Sequence, residues 1–273
     1  MRNFVGFIYG MIYGVAHIVP GLSGGTFLVI FGCYDVVCEA FALNITAIRK
    51  NFLFLMLFGI GTMGGLIVFA HIITFLFVNF AIQTNLFFMG LILGGIPLIS
   101  KIATKEERFK PICIVPFSLG LALVVSLFLL ERTGLFDVEA TETAGLIYTT
   151  RIVFYSFIAA IAMIMPGISG AFILVVFGVY DIFMEAVRVM DFTVIVPAAI
   201  GILIGIVIGA KLVLLLLHKF KLMVYSAIIG MVAGSIIPLL PEGFGINIAT
   251  LTGIVFLILG GSIALFMGKK EAA

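Results

Sequence analysis

Charge is the scarcest commodity in this sequence. Of 273 residues, 15 are Lys or Arg and 13 are Asp or Glu, together 10%. An ordinary soluble domain carries roughly 25%. So few charged side chains cannot clothe a water-facing surface, which excludes a soluble enzyme, and a disordered chain needs the opposite composition. The net charge of +2 leaves no basic face for nucleic acid. The cysteines are three, Cys33, Cys38 and Cys113. Their odd number and their spacing exclude a disulfide framework and a zinc site. Tryptophan is absent, so any aromatic belt at a membrane surface falls to Tyr and Phe. No Ser–His–Asp constellation, metal-ligand cluster or phosphate-binding loop is present; neither enzyme chemistry nor a cofactor is expected.

What abounds is apolar. Hydrophobic residues make up 63% of the chain, and the mean hydropathy is +1.37. The apolar runs are helix-length and lack the ~10-residue alternation of an outer-membrane barrel. The fold class is therefore an all-α polytopic membrane protein. Arg2 before an apolar stretch imitates a signal peptide, but the stretch reappears inside the chain, which argues against cleavage.

Residues 16–40 read AHIVPGLSGGTFLVIFGCYDVVCEA, and residues 162–186 read AMIMPGISGAFILVVFGVYDIFMEA. At an offset of 146, Pro20 meets Pro166, Gly21 meets Gly167, Ser23 meets Ser169 and Gly24 meets Gly170. Phe31, Gly32, Tyr34, Asp35 and Glu39 likewise meet Phe177, Gly178, Tyr180, Asp181 and Glu185. At an offset of 140 the likeness continues: Gly61 with Gly201, Gly65 with Gly205, Phe80 with Phe220, Gly90 with Gly230. The chain divides into a first repeat over 1–135, an acidic linker over 136–148 and a second repeat over 149–273.

Each repeat holds five apolar segments, at 4–19, 24–42, 52–79, 85–100 and 111–130, then 151–165, 170–187, 193–217, 222–240 and 247–267. The first two of each are short against the ~20 residues a crossing needs. They make either two short crossings or one re-entrant hairpin, and both return the chain to the side it came from. Each repeat then crosses an odd number of times, so the repeats are expected to have inverted topology. Positive charge agrees with both termini cytoplasmic. Arg49, Lys50, Lys101, Lys105, Arg108, Lys110, Lys219, Lys221, Lys269 and Lys270 fall inside, and the linker outside; Arg132, Arg151 and Arg188 are exceptions. Inverted repeats with broken helices are the pattern of transporters that bind substrate near the midplane.

The sharpest local feature is Pro20-Gly21-Leu22-Ser23-Gly24-Gly25-Thr26, echoed by Pro166-Gly167-Ile168-Ser169-Gly170. Pro and Gly stop one helix, and Ser23 suits the N-cap of the next. Gly24 and Gly25 would leave backbone N–H groups uncovered for an anion such as phosphate. The plainer alternative is a tight turn with no ligand. Asp35 with Glu39, and Asp181 with Glu185, form i, i+4 carboxylate pairs suited to proton or cation coupling, or to pairing with neighbouring Arg and Lys, or to a solvated helix end. His17 precedes Pro20 by a turn and, with Arg151, is a candidate to neutralise bound phosphate. The glycine strings Gly59, Gly61, Gly64, Gly65 and Gly201, Gly205, Gly209 hold small residues at four-residue spacing and read as packing positions.

The two motifs, their FGxYD continuation and the two-repeat layout resemble the PopT family, formerly a domain of unknown function. The resemblance spans essentially the whole chain. It implies a translocase that returns undecaprenyl phosphate, a wall-polymer carrier lipid, from the outer to the inner leaflet of the cytoplasmic membrane. The motif is also similar to the Pro-Gly-x-Ser-Arg-Ser signature of undecaprenyl-diphosphate phosphatases. Here Gly24 and Gly170 stand where that Arg belongs, which leaves nothing to stabilise a phosphoryl transition state. An ion-coupled carrier of a small soluble anion is the other alternative.

Overall fold

A computed structural model describes residues 2–18, 23–105, 108–133, 145–241, 245 and 248–271. Pro20 and Gly21 of the first motif, and most of the acidic linker, lie outside the described residues. Among those described there is no strand. The helices run α1 Arg2–Ile18, α2 Gly24–Ile30, α3 Tyr34–Phe41, α4 Ile45–Lys50, α5 Phe52–Asn79, α6 Ala81–Ala103, α7 Ile114–Thr133, α8 Leu146–Ile164, α9 Gly170–Val176, α10 Tyr180–Val189, α11 Phe192–Gly234 and α12 Ile248–Glu271. Six are long and apolar enough to cross a membrane. Their flanks carry exposed Ile67, Val78, Leu119, Ile258 and Phe266, an apolar surface that only lipid can solvate.

The expected segments at 24–42 and 170–187 are each broken in two, and the break has a local cause. Gly32 and Gly178 take left-handed φ values of 63° and 65°. The N–H of Gly32 returns to the Val29 carbonyl and that of Cys33 to Leu28; Gly178 and Val179 repeat the pair onto Val175 and Leu174. This is the glycine-terminated helix end in which two backbone bonds close the last turn. At seven residues, α2 and α9 rise only ~10 Å, far short of the ~30 Å hydrocarbon core.

The duplication recurs in the backbone at the long helices. Phe80, between α5 and α6, has φ −137° and ψ 42°. Phe220, within α11, has φ −138° and ψ 43°. The chain therefore bends at the same place in both repeats, and α11 consists of two limbs, 192–219 and 221–234.

Helix pairing interlocks the repeats. Within each repeat the opening helix packs on the third apolar segment: α1 on α5, α8 on the first limb of α11. The last helices cross over. α12 packs on α6, and α7 packs on the second limb of α11. Close approach at these seams is made by glycine. A Cβ at Gly90 would lie 2.0 Å from the Leu257 carbonyl oxygen, and one at Gly230 would lie 2.0 Å from that of Phe117. α2 sits at the centre, with all seven residues buried.

Gly90→Val and Gly230→Val should each force a crossed-over pair apart and destabilise by ~1–3 kcal/mol or more, read as a lowered unfolding midpoint in detergent. Gly59→Ala meets nothing within 4 Å. It is expected to leave the midpoint unchanged or raise it slightly, by less than ~1 kcal/mol.

Candidate functional site

The two motifs meet. α8 ends at Ile164, and Met165 is extended (φ −70°, ψ 125°). The last carbonyls of a helix have no intrahelical partner, and in a lipid-embedded interior they must find one. The first repeat supplies it. The Tyr34 hydroxyl donates to the Ile164 carbonyl at 3.1 Å, and the Ser23 hydroxyl donates to the Met165 carbonyl at 3.2 Å. The Gly167 N–H in turn donates to Thr26 Oγ1 at 2.9 Å. Ser23, Thr26 and Tyr34 are each 2% exposed or less. Gly167 has a φ of +86°, and a Cβ there would strike the Met231 backbone at 2.6 Å. Its residue type is thus demanded twice, by conformation and by space.

Two expectations from the sequence change here. Ser23 occupies the N-cap position of α2 with extended backbone, yet its side chain makes no capping bond. The start of α2 is pressed against the second motif, so the hydroxyl meets a bare carbonyl and takes it. Gly24, Gly25 and Gly170 are also buried rather than open in this conformation. A Cβ at Gly25 would lie 2.9 Å from the Ile164 carbonyl; one at Gly24, 2.7 Å from His17 Nε2; one at Gly170, 2.9 Å from the Ala159 carbonyl. These glycines act as spacers: Gly25 and Gly170 let backbone approach backbone, and Gly24 makes room for the His17 and Tyr13 rings. Valine at Gly24 or Gly170 would push neighbouring elements apart as well as cover an N–H.

The remaining candidates are unevenly placed. Pro166 is buried and Ser169 half-buried beside the seam. His17 faces Gly24, its ring edge-on to Tyr13 at 4.6 Å. Its Nε2 is the one buried side-chain nitrogen or oxygen among the described residues that lacks a hydrogen-bond partner. Arg151 is exposed near the start of α8. It lies thirteen residues before the seam, ~20 Å along the helix, and is not brought to the motifs. The carboxylate pairs are not equivalent. Asp35 and Glu39 line a pocket. Asp181 is exposed, and Glu185 forms an exposed ion pair with Arg188 at 2.8 Å, the kind worth ~0–1 kcal/mol. Tyr34 was visible in the sequence only as part of the repeat. Its role as a bridge between repeats needed the fold.

Two cavities flank the seam. The first, about 930 Å³, lies among α1, α2, α5, α6 and α12. Ile12, Val15, Phe27, Ile30, Leu76 and Phe88 are among its walls. Near the Phe80 bend its lining includes Gln83 and Thr252, hydrogen-bonded across α6 and α12 at 3.0 Å. Ile8, Ile72 and Phe256 line it and are also exposed, so it opens sideways onto lipid. The second, about 660 Å³, is polar and lies at the Phe220 bend, between α3, the residues before α7 and α11. α6 begins at the first cavity and ends, at Ala103, in the second. Its twenty-three residues rise ~35 Å, the depth of a membrane core.

Cavities at opposite ends of a membrane-spanning fold, parted by buried irregular backbone, define a carrier. Residues 14–252 match the model of the undecaprenyl phosphate translocase-like family, and the chain belongs to that family. A polyprenyl-phosphate transporter of Staphylococcus aureus (strain NCTC 8325 / PS 47) is 30% identical over 283 aligned positions, covering 99% of this chain and 98% of that protein. A polyprenyl-phosphate transporter of Vibrio cholerae serotype O1 is 27% identical over 248 positions, covering 84% and 75% respectively. No solved structure matches the chain.

Thr26→Val should leave the Gly167 N–H buried and unpaired, at a cost of ~1–3 kcal/mol. Thr26→Ser keeps the acceptor and should retain most of the stability. Thermal unfolding of the two variants in detergent checks the difference.

Proposed function

We propose that the protein carries polyprenyl phosphate between the leaflets of the cytoplasmic membrane, holding the prenyl tail in the apolar cavity and the phosphate where the two motifs meet. The observation that carries this reading is the cavity. It is walled by aliphatic and aromatic side chains, opens onto lipid, and reaches Phe27 and Ile30 of α2, the helix that starts in the first motif. A carrier of small soluble anions has no use for such a wall, and burial of apolar chain there contributes roughly 25 cal/mol per Å².

The headgroup step follows from the seam. Phosphate oxygens can replace Thr26 Oγ1 at the Gly167 N–H and accept from the Ser23 hydroxyl in place of the Met165 carbonyl. Entry of the headgroup thus exchanges the bonds that close the seam for bonds to substrate, which couples binding to opening. His17 Nε2 adds an uncommitted group beside Gly24, and in its protonated form it offsets phosphate charge. Among the described residues that form the seam there is no arginine or lysine to stabilise a phosphoryl transition state, which supports movement of the lipid over its cleavage.

Orientation is read from charge. Lys110, Lys219 and Lys221 gather at the polar pocket, and Arg49 and Lys50 end α4, which packs on α3 beside it. That end is cytoplasmic by the positive-inside rule, with both termini cytoplasmic, the hairpins re-entrant and the apolar cavity facing the outer leaflet. Net flux runs inward, down the gradient of spent carrier. Asp35 and Glu39, in the pocket, are the carboxylates available for proton or cation coupling; Glu185 is committed to Arg188.

Proteoliposomes holding labelled undecaprenyl phosphate test the function directly. The wild type should accelerate its exchange between leaflets. Leu76→Trp and Leu91→Trp, which fill the cavity, should slow the exchange at least about tenfold, equivalent to ~1.4 kcal/mol in the barrier. The same vesicles loaded with undecaprenyl diphosphate should release no inorganic phosphate. Normal exchange with the cavity filled, or phosphate release, overturns the reading.

A further inference from the structure

The two bends offer the same frame with different chemistry. Phe80 and Phe220 share their backbone angles to within a degree, and each lines one of the two cavities. Around Phe80 stand Val78, Asn79 and Ala81. At the matching positions around Phe220 stand His218, Lys219 and Lys221. All three of these basic residues line the polar pocket, and Lys110, from the segment before α7, joins them. Two carboxylates face them from α3, Asp35 and Glu39. Lys221 acts electrostatically on the Asp35 carboxylate. Among the described lining residues, three lysines and one histidine stand against two acids.

The pocket also has a fixed relation to the seam. Asp35 follows Tyr34 in α3, and the Tyr34 hydroxyl closes on Ile164. The pocket thus begins one residue beyond the bond that seals the motifs. It lies at the far end of α6 from the apolar cavity.

We infer that this pocket is a second phosphate site, at the end of the pathway opposite the apolar cavity, in which Lys110, Lys219 and Lys221 receive a phosphate monoester. The inference rests on the carrier reading for the identity of the lipid, though not for the site's preference for phosphate. A dianionic headgroup leaving the seam toward this end meets three lysines gathered in one pocket. Asp35 stands within electrostatic reach of Lys221, so the two lie in one charged cluster at the membrane boundary. A site at this end changes the affinity seen from that face. It leaves the equilibrium distribution of the lipid between leaflets untouched. The competing explanation is that these lysines only set topology, in which case other cations at the same end would be interchangeable with them.

The test uses the full chain in neutral phosphatidylcholine nanodiscs with three probes: farnesyl phosphate, farnesol and inorganic phosphate. Three variants are compared with the wild type: Lys219→Gln with Lys221→Gln, Lys110→Gln alone, and Arg49→Gln with Lys50→Gln as the control at the same end. The paired lysine variant should weaken farnesyl phosphate binding about tenfold, the size expected for losing charge-assisted hydrogen bonds. It should leave farnesol binding unchanged, and the control pair should bind like the wild type. A thiol introduced by Met223→Cys, in the pocket wall, should be protected from a thiol reagent by farnesyl phosphate and left unprotected by farnesol. If the paired variant fails to fold, Lys110→Gln, on a separate element, carries the same expectation at a smaller size. Loss under twofold in both pocket variants, equal loss in the control pair, or no protection at Met223→Cys overturns the inference. If the wild type binds inorganic phosphate through these lysines but no farnesyl phosphate, the site stands and the lipid-carrier reading falls.

Discussion

Everything in this structure depends on how α8 ends. A helix that stops inside a membrane protein exposes carbonyls that water cannot reach, and each left unpaired costs several kcal/mol. Here the carbonyls of Ile164 and Met165 are met by Tyr34 and Ser23, and the Gly167 N–H by Thr26. All three partners come from the other repeat. The seam therefore joins the halves of the chain through bonds that neither half could make alone. Bonds of this kind exchange one oxygen for another at little net cost when a new acceptor arrives.

Interlocking of the helices restricts how such a fold can move. Since α12 packs on α6 and α7 on the second limb of α11, repeats 1–135 and 149–273 cannot rock as two independent bodies. The crossed-over pairs, held at glycine contacts too tight for any Cβ, form a shared frame. The opening pairs, α1 with α5 and α8 with the first limb of α11, pack within their own repeats and lie outside that frame. The bends at Phe80 and Phe220 lie where these parts join the frame. The structure is also unequal about its seam: α3 packs on α11 beside the Phe220 bend, whereas the apolar cavity stands open beside Phe80.

Much of this was written in the sequence. Scarce charge and helix-length apolar runs dictated a helical membrane protein, and the doubled Pro-Gly-x-Ser-Gly motif dictated two like hairpins. The offset of 140 that pairs Phe80 with Phe220 reappears as matched backbone angles, because like sequence in like surroundings bends alike. The bounds of α5 fell on the expected 52–79. The breaks after Ile30 and Val176 were missed, although their signal, a glycine after an apolar helix turn in each FGxY stretch, was present. An apolar run continues through such a glycine in composition even as the backbone reverses.

Composition and repetition therefore settled the class and the duplicated plan, since both act locally along the chain through hydropathy, helix breakers and glycine. Partners settled the rest. The Ser23 hydroxyl had an intrahelical use by sequence logic, and it serves another because the Met165 carbonyl lies 3.2 Å away. Asp35 and Asp181 hold matching positions in the two repeats, yet one lines a basic pocket and the other is exposed, because α3 docks on α11 and the two hairpins are covered differently. Gly24 and Gly25 looked open because their own neighbours leave them bare; they are covered by His17 from α1 and by the turn before α9. Apart from the His17 contact, those outcomes depend on which surfaces meet across more than a hundred residues of chain, and no local pattern carries that information.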